Sequence, residues 1–409
     1  MKESAENKNI KNIWIFNHYA TKPDEPATRS YDFGRELAKK GHNVTIFASS
    51  FSHYKLKEKY LSPKEKYRRE KYNGVNFIWI KTFPYKRSDW RRVLNMVTYF
   101  WNGFFAARKI KEKPDVVIGT CVHSLAVLVA YLTAKRAKSR FFFEVTDPWP
   151  QTLIDLNLLS KRNPIAWILR RLEIFFNRKA EKVIHFVPLS REYMKKTKLD
   201  EKKVVIIPNG LDISRYKSIK PYKGGNSNNF KIMFLGGHSK YASLETVLGA
   251  AKLLSDRKIK KAKFIFVGEG TQKRGLIKMA KEMALSNVDF RPMVQKNKVF
   301  GVMGEADAFI SIIRKTPDWI GTISSNKLND YLISGRPIIF AVGSENNPVK
   351  KAKAGIVVPP ENQEALAGAV MKMISLSKKE RMKMGRNGRE YAKKNLDIKI
   401  LSKRLENLL

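Results

Sequence analysis

Short runs of β-branched and aromatic residues recur along this sequence, each followed by a longer stretch with helical spacing. That alternation constrains the fold more than any other feature. "NIWIF" (12–16), "NVTIF" (43–47), "DVVIG" (115–119), "RFFFEV" (140–145) and "KVIHFV" (182–187) are continuous apolar runs rather than alternating ones. Strands of that kind are buried on both faces, so they belong in a parallel sheet covered by the intervening helices. The helical stretches include "TRSYDFGRELAKKG", where Tyr31, Leu37 and Ala38 share a face with Gly34, then 124–137 and 164–181.

The rhythm restarts after residue 203. "KVVIIPNG" leads into the Gly/Ser/Asn-rich "KGGNSNN" (223–229), and then "KIMFLGG" (231–237), "KFIFVGEG" (263–270), "NVDFRP" and "AFISII" (308–313) alternate with helices at 243–256, 271–285 and near 296–304. The expectation is an α/β fold of two Rossmann-like domains facing across a cleft. Residues 1–203 form the first and 204–387 the second, with the helix near 388–409 returning to the first. A chain of 409 residues suits two domains of roughly 150–200 each. Ligands in such folds bind beyond the carboxyl ends of the strands.

The lone cysteine, Cys121, can form no internal disulfide, and no Cys cluster or H-x3-H or D-x-D pair at a strand end offers a metal site. The opening "MKESAENKNIKN" lacks the apolar core of a signal peptide. The most apolar windows, 93–107 and 124–134, fall short of the ~20 residues that span a bilayer. A reducing compartment and no transmembrane segment are expected.

Net charge is +43. Nucleic acid, an anionic membrane and simple compositional bias compete to explain it; basic residues spread along the chain argue against nucleic acid. Two clusters stand out. Residues 54–72, "YKLKEKYLSPKEKYRREKY", interleave eight Lys/Arg with four tyrosines. Further on, Val93, Met96, Val97, Phe100, Trp101 and Phe104 recur at helical spacing between Arg91, Arg92, Arg108 and Lys109. Such a helix suits an anionic bilayer surface, and the same stripe also suits a core.

Three loops carry chemistry. In "FLGGHSKYASLE", Gly236 and Gly237 allow close backbone approach at a helix start, with Lys240 nearby; phosphate binding or tight geometry alone would each explain the pair. "FVGEG" (266–270) lacks dinucleotide-fingerprint spacing and reads as a tight turn. In "SSNKLNDYLISGRPIIF" (324–340), Ser325 is a candidate N-cap, with Asn326, Lys327 and Leu328 in the first turn. A lysine there opposes the helix dipole unless an anion is present. Asp330, one turn on, suits paired sugar hydroxyls. Together they describe a nucleotide-diphosphate site; the alternative is a surface helix with a chance lysine.

With "RELAKKGHNVTIF" (35–47), "EVTDPWPQ" (144–151), "RRLEIFFNRKAEKVI" (170–184), "VIIPNGLD" (205–212) and "AGIVVPPENQEALAGAV" (354–370), these loops give the chain a resemblance over nearly its whole length. It resembles glycosyltransferase family 4, the retaining nucleotide-sugar transferases of GT-B fold, in the surface-polysaccharide branch that includes N-acetylfucosamine transferases. The resemblance implies that Asp330 binds ribose, closing an E-x7-E motif whose opening glutamate is here Thr322. Gly237 stands in the family's arginine slot with Lys240 as a nearby substitute, so the phosphates fall to Lys327, with Arg314 a further candidate. Met293 and Val294 lie where the family reads the base edge. Thr146 replaces a frequent histidine, and the adjacent Asp147 either contacts substrate or caps a turn. Lys327 and Asp147 are the catalytic candidates; His18 and Arg29 are candidates for the acceptor. The expected partners are a nucleotide-sugar donor, a lipid-linked saccharide acceptor and an anionic membrane surface, with no cofactor, metal or nucleic acid. The expected place is the cytoplasmic face of the membrane, in lipopolysaccharide or capsule synthesis. A catalytically inactive nucleotide-sugar-binding subunit is the alternative.

Overall fold

The computed structural model describes residues 9–409 except 24, 26–27, 88, 147, 156–157, 227, 296–297, 315–325 and 345–346, with Asn326 described in its backbone alone. The chain divides into two compact units, Met1–Pro208 with Ile398–Leu409, and Asn209–Asp397.

The first unit runs β1 (Asn12–Phe16), α1 (Arg29–Lys39), β2 (Asn43–Ser49), the small hairpin β3 and β4 (Phe51–Ser52, Lys57–Glu58), β5 (Tyr67–Tyr72), β6 (Val75–Ile80), α2 (Trp90–Lys109), β7 (Val116–Cys121), α3 (Ser124–Ala137), β8 (Arg140–Val145), α4 (Gln151–Asp155), α5 (Pro164–Lys179), β9 (Lys182–His185), α6 (Arg191–Lys196) and β10 (Val204–Ile206). Its eight-stranded sheet has the order β10-β9-β8-β7-β1-β2-β6-β5. Every pair is parallel except β5 with β6. Period-2 alternation divides each strand between two cores. Trp14, Phe16, Phe141 and Phe143 pack under α2, α3 and α5, while Ile13, Ile15 and Phe142 pack on the opposite face with Leu37 of α1. Helix starts follow local chemistry: Asp89, His123 and Asn163 each accept an amide proton at their helix's first turn, and Pro164 opens α5.

The second unit runs β11 (Phe230–Leu235), α7 (Leu244–Asp256), β12 (Ala262–Val267), α8 (Lys273–Glu282), β13 (Val288–Arg291), α9 (Val299–Met303), β14 (Ala308–Ile312), α10 (Asn326–Ser334), β15 (Ile338–Ala341), α11 (Pro348–Ala352), β16 (Gly355–Val358), α12 (Gln363–Ser375) and α13 (Lys378–Asn395). Its parallel sheet has the order β13-β12-β11-β14-β15-β16. Strand order reverses between β11 and β14, and the crevice at such a reversal is where open α/β sheets bind ligands. In the first sheet the reversal lies between β1 and β7.

Two expectations need correction. β10, expected to open the second domain, pairs with β9 and closes the first sheet's edge, because its short apolar run needs a strand partner. The boundary therefore falls after Pro208, not after 203. Of the C-terminal segment, α13 stays with the second unit, and α14 (Ile398–Glu406) packs on α1 through Ile398, Leu401 and Leu405. The basic segment 54–72 contains edge strand β5, turned back onto β6 by Asn73-Gly74, whose φ values of 46° and 87° fit a two-residue hairpin turn.

Candidate functional site

At the second sheet's reversal, β11 runs out into the turn Gly236, Gly237 and His238. Gly236 has φ +152° and its amide donates to Val267 O at 2.9 Å. A Cβ on Gly236 would lie 2.5 Å from both Cδ and Cε of Lys327, so the glycine lets the lysine chain lie flat across the turn. The glycines of "FVGEG" make room for this turn: a Cβ on Gly268 would sit 2.0 Å from Gly236 O, and one on Gly270 2.3 Å from His238 O. Hydrogen bonds lock the two turns together, His238 N to Glu269 O at 2.9 Å and Gln272 N to His238 O at 3.0 Å.

α10 brings the other half. Its Lys327 ammonium lies 4.6 Å from the Phe234 ring centre, a cation–π distance, and has no hydrogen-bond or ion-pair partner among the described residues. Burial lowers its pKa. Tyr331 fixes the helix by accepting from Leu235 N at 2.8 Å and donating to Leu235 O at 3.0 Å, with its ring stacked on Phe309. Leu328 is core, so its backbone alone is offered to a ligand. Asn329 donates to Asn209 O at 2.9 Å. Asp330 accepts from the Tyr216 phenol at 2.5 Å.

The remaining candidates divide. Gly237 and Lys240 are exposed beside the turn, and Met293 is 71% exposed while Val294 packs on the core. Lys273, and more weakly the Met293 amide, hold the Glu269 carboxyl below its usual range. Arg314 is committed to Glu245, with Glu361 at 3.8 Å, so it is not a free cation for phosphate. Ser325 and Asp147 lie outside the described residues, as does the side chain of Asn326.

Sequence reasoning missed His238 and Tyr216. Nothing marks Tyr216, in a one-turn 3-10 helix at Ile213–Tyr216. His238 directly follows the glycine pair, and that position was its signal. The residue is 0% exposed, its ring lies 5.8 Å from Phe234, 6.2 Å from Phe290 and 6.3 Å from Phe266, and neither ring nitrogen has a partner among the described residues. Burial, followed by Lys273, pushes its pKa down to about 4, and Lys327 adds to the same direction.

In the first unit, His18 follows β1 and His123 follows β7, at that sheet's reversal. His123 Nδ1 accepts the Ala126 amide at 3.2 Å as N-cap of α3, which leaves the proton on Nε2. That nitrogen is 2.6 Å from His18 Nδ1, so His123 donates and His18 in turn carries its proton on Nε2. Burial depresses both pKa values, His123 to about 3, so neither imidazole is charged near neutrality. His18 also lines a small cavity with Tyr19, Ser49, His53 and Tyr60.

Arg29, an acceptor candidate in the sequence, is an internal brace. Its Nε contacts Glu144 at 3.0 Å, and Nη1 and Nη2 donate to the Pro208 and Ile207 carbonyls at 2.7 and 2.9 Å. Phe33 and Phe186 cover the guanidinium, and Thr120 satisfies the second Glu144 oxygen at 2.8 Å. Among the described residues, no three His, Cys, Asp or Glu side chains gather to hold a metal ion.

Two family models match the chain: one described as Glycosyltransferase Family 4 over residues 27–215, the other as Glycosyl transferases group 1 over residues 217–391. Among curated proteins, the putative colanic acid biosynthesis glycosyl transferase WcaI of Escherichia coli (strain K12) is 24% identical over 381 residues, covering 88% of this chain and 90% of its own. Among solved structures, sucrose-phosphate synthase from Thermosynechococcus elongatus aligns over 97% of this chain and 98% of its own, with a TM-score of 0.74 at 14% identity. Anabaena HepE in complex with UDP and glucose aligns over 97% and 99%, with a TM-score of 0.66 at 13% identity. At these identities the structural matches establish the fold.

Proposed function

The chain belongs to glycosyltransferase family 4 with the GT-B fold, and from that premise we propose that it moves a hexose from a nucleotide-diphosphate sugar onto a lipid-linked saccharide, with retention at the anomeric carbon. The observation that carries the donor half is Lys327: a half-buried ammonium at the start of α10, laid over Gly236 at the strand-order reversal, with no carboxylate within ion-pair distance among the described residues. An unpaired buried charge is costly, and a diphosphate relieves that cost. As the diphosphate leaves, its growing charge is met by Lys327 and by the amides at the start of α10, which are in place beforehand. Asp330 is assigned to the ribose hydroxyls.

HepE was crystallised with UDP and glucose, so uridine donors are the first to test. The E. coli relative's name points to surface polysaccharide as the product class. The deciding experiment is a panel of nucleotide sugars read by thermal shift, since a ligand bound only to the native state raises its melting temperature. Transfer to membrane-extracted saccharide lipids follows. Binding without transfer or donor hydrolysis would favour a binding subunit over an enzyme.

For the acceptor, two helices on one face of the first sheet matter. α2 exposes Trp90 at its start and Val93, Trp101 and Phe105 between Arg91 and the Arg108-Lys109 pair. α5 exposes Ile165, Trp167 and Ile168, with Arg171 stacked on Trp167. Their buried sides meet in the same core, Tyr99 and Ala106 from α2 and Phe176 from α5. Aromatic and basic side chains together suit the interface of an anionic bilayer. No helix among the described residues is long and apolar enough to cross a membrane, so this reading is of peripheral contact, on the cytoplasmic face, where a lipid-linked acceptor would be met.

A further inference from the structure

His238 is the side chain that the fold of the second unit leaves unexplained. It is fully buried, and among the described residues no other side chain has two buried polar atoms without a partner. An imidazole always carries at least one N–H, and burying that donor unpartnered is unfavourable. Its packing asks for no nitrogen: the neighbouring rings are Phe234, Phe266 and Phe290, an environment a phenyl group would suit as well. The residue's backbone already joins the two glycine turns, which any residue at that position would do. What the ring adds is a polar edge against Phe234, the same ring that carries the Lys327 ammonium, which also lacks a partner among the described residues. Two orphans on one phenyl ring, one cationic and one a neutral donor, call for a ligand rich in acceptor oxygens.

We infer that His238 is a phosphate-contacting residue, its ring N–H donating to a non-bridging oxygen of the diphosphate whose charge Lys327 meets. The inference rests on the donor-site reading of α10 and goes one residue beyond it. Neutrality suits the role, because a charged imidazole would repel Lys273 and Lys327 before any ligand arrived.

The test uses the full chain with UDP, GDP, dTDP, inorganic pyrophosphate and phosphate-free uridine, each titrated by calorimetry into wild type, His238→Phe and His238→Asn. The diphosphate that wild type binds should lose affinity about tenfold in His238→Phe, pyrophosphate should lose in parallel, and His238→Asn, which keeps an N–H, should recover most of it. The unliganded His238→Phe protein should melt no lower than wild type, because phenyl replaces an unsatisfied ring; a residue needed only for structure would lower melting temperature and affinity together. Nitrogen-15 spectra of histidine-labelled wild type add a readout independent of folding, and the resonance missing from His238→Asn should shift on pyrophosphate addition. Unchanged affinity in His238→Phe, or a silent His238 resonance at saturating diphosphate, overturns the inference and leaves the donor site standing. Failure of wild type to bind any of the diphosphates overturns both.

Discussion

The Tyr216 phenol donates a hydrogen bond to Asp330 Oδ1 across 2.5 Å, joining a one-turn helix just after the domain boundary to the helix that carries Lys327. Burial, and then the carboxylate itself, raise the pKa of the phenol, so it stays a donor and holds the Asp330 carboxyl oriented. Asp330→Ala should weaken nucleotide affinity by about 1–3 kcal/mol and also lower stability, because it strands the Tyr216 hydroxyl. Tyr216→Phe should weaken affinity less, through orientation alone. Calorimetry on both variants and the double mutant checks this, and additive effects would mean that the two residues act separately.

Lys327→Met should slow turnover more than it raises KM, if the ammonium meets charge that develops as the diphosphate departs. It should not lower the melting temperature of the unliganded protein, since the cost of half-burying a charge with no anionic partner among the described residues offsets its contact with the Phe234 ring. An increase in KM with kcat unchanged would assign the lysine to uniform binding. Activity lost in EDTA and regained with magnesium would hand the diphosphate charge to a metal instead.

Arg29→Ala should act on stability, not on the acceptor. Removing it leaves Glu144 buried without its cation, a change that costs about 3–5 kcal/mol for pairs of this kind. Chemical denaturation should show the loss of the first unit's stability, and KM for the acceptor should hold at temperatures where the variant stays folded. An acceptor KM shift in a variant of wild-type stability would restore the binding role.

The first unit should lose stability as pH falls below neutrality. His18, His123 and His185 all have depressed pKa values in the fold, His123 and His185 at about 3 against an ordinary 6.5. Between those limits the unfolded chain binds protons that the folded chain refuses, so stability falls with pH by about 1.4 kcal/mol per unit for each imidazole. Glu173 runs the other way: raised by burial to about 7, it takes up its proton first in the folded state and adds stability as pH falls from about 7 towards 4.5. With His53, whose pKa burial also lowers, these imidazoles outnumber Glu173 and give a net loss. Unfolding at pH 7, 6 and 5 should show it, and His123→Asn, which keeps an oxygen to accept the Ala126 amide and an N–H to offer His18, should make the slope shallower. A flat profile would mean that these imidazoles titrate normally.

The strands were legible because both of their faces are buried: runs such as Phe141–Phe143 read as apolar regardless of direction, and their order with the helices sets the parallel topology. Gly236 and Lys327 were legible because glycine at a strand end and lysine at a helix start both run against local preference. Tyr216 and the true role of Arg29 were not, since each depends on a partner more than a hundred residues away, Asp330 and Glu144, which no local pattern encodes. Edge strand β5 was hidden by its exposure, because Lys, Arg and Glu on a sheet edge carry no apolar signal, and only Asn73-Gly74 announced the turn.

The same exposure changes how the membrane reading should be tested. Within 54–72, Arg68 is held by Glu65 and Glu70, and Arg69 by Glu112, so part of that basic charge is already neutralised on the protein. The exposed apolar side chains lie instead on α2 and α5, where Trp101, Phe105 and Trp167 stand clear of the core beside Arg108, Lys109 and Arg171. Each basic residue near an anionic surface contributes about 1 kcal/mol and is screened by salt, whereas apolar insertion persists. Replacing Trp101, Phe105 and Trp167 with serine should therefore release the protein from phosphatidylglycerol vesicles in flotation assays, even at low salt, while nucleotide affinity stays at the wild-type value. Lys64→Glu with Lys66→Glu should weaken flotation less, and high salt should reproduce only that smaller loss. The two sets separate insertion from attraction because only the serine set leaves net charge unchanged. Wild type that fails to float at low salt would overturn the peripheral reading, attribute the excess charge to composition, and turn the search for the acceptor to soluble saccharides.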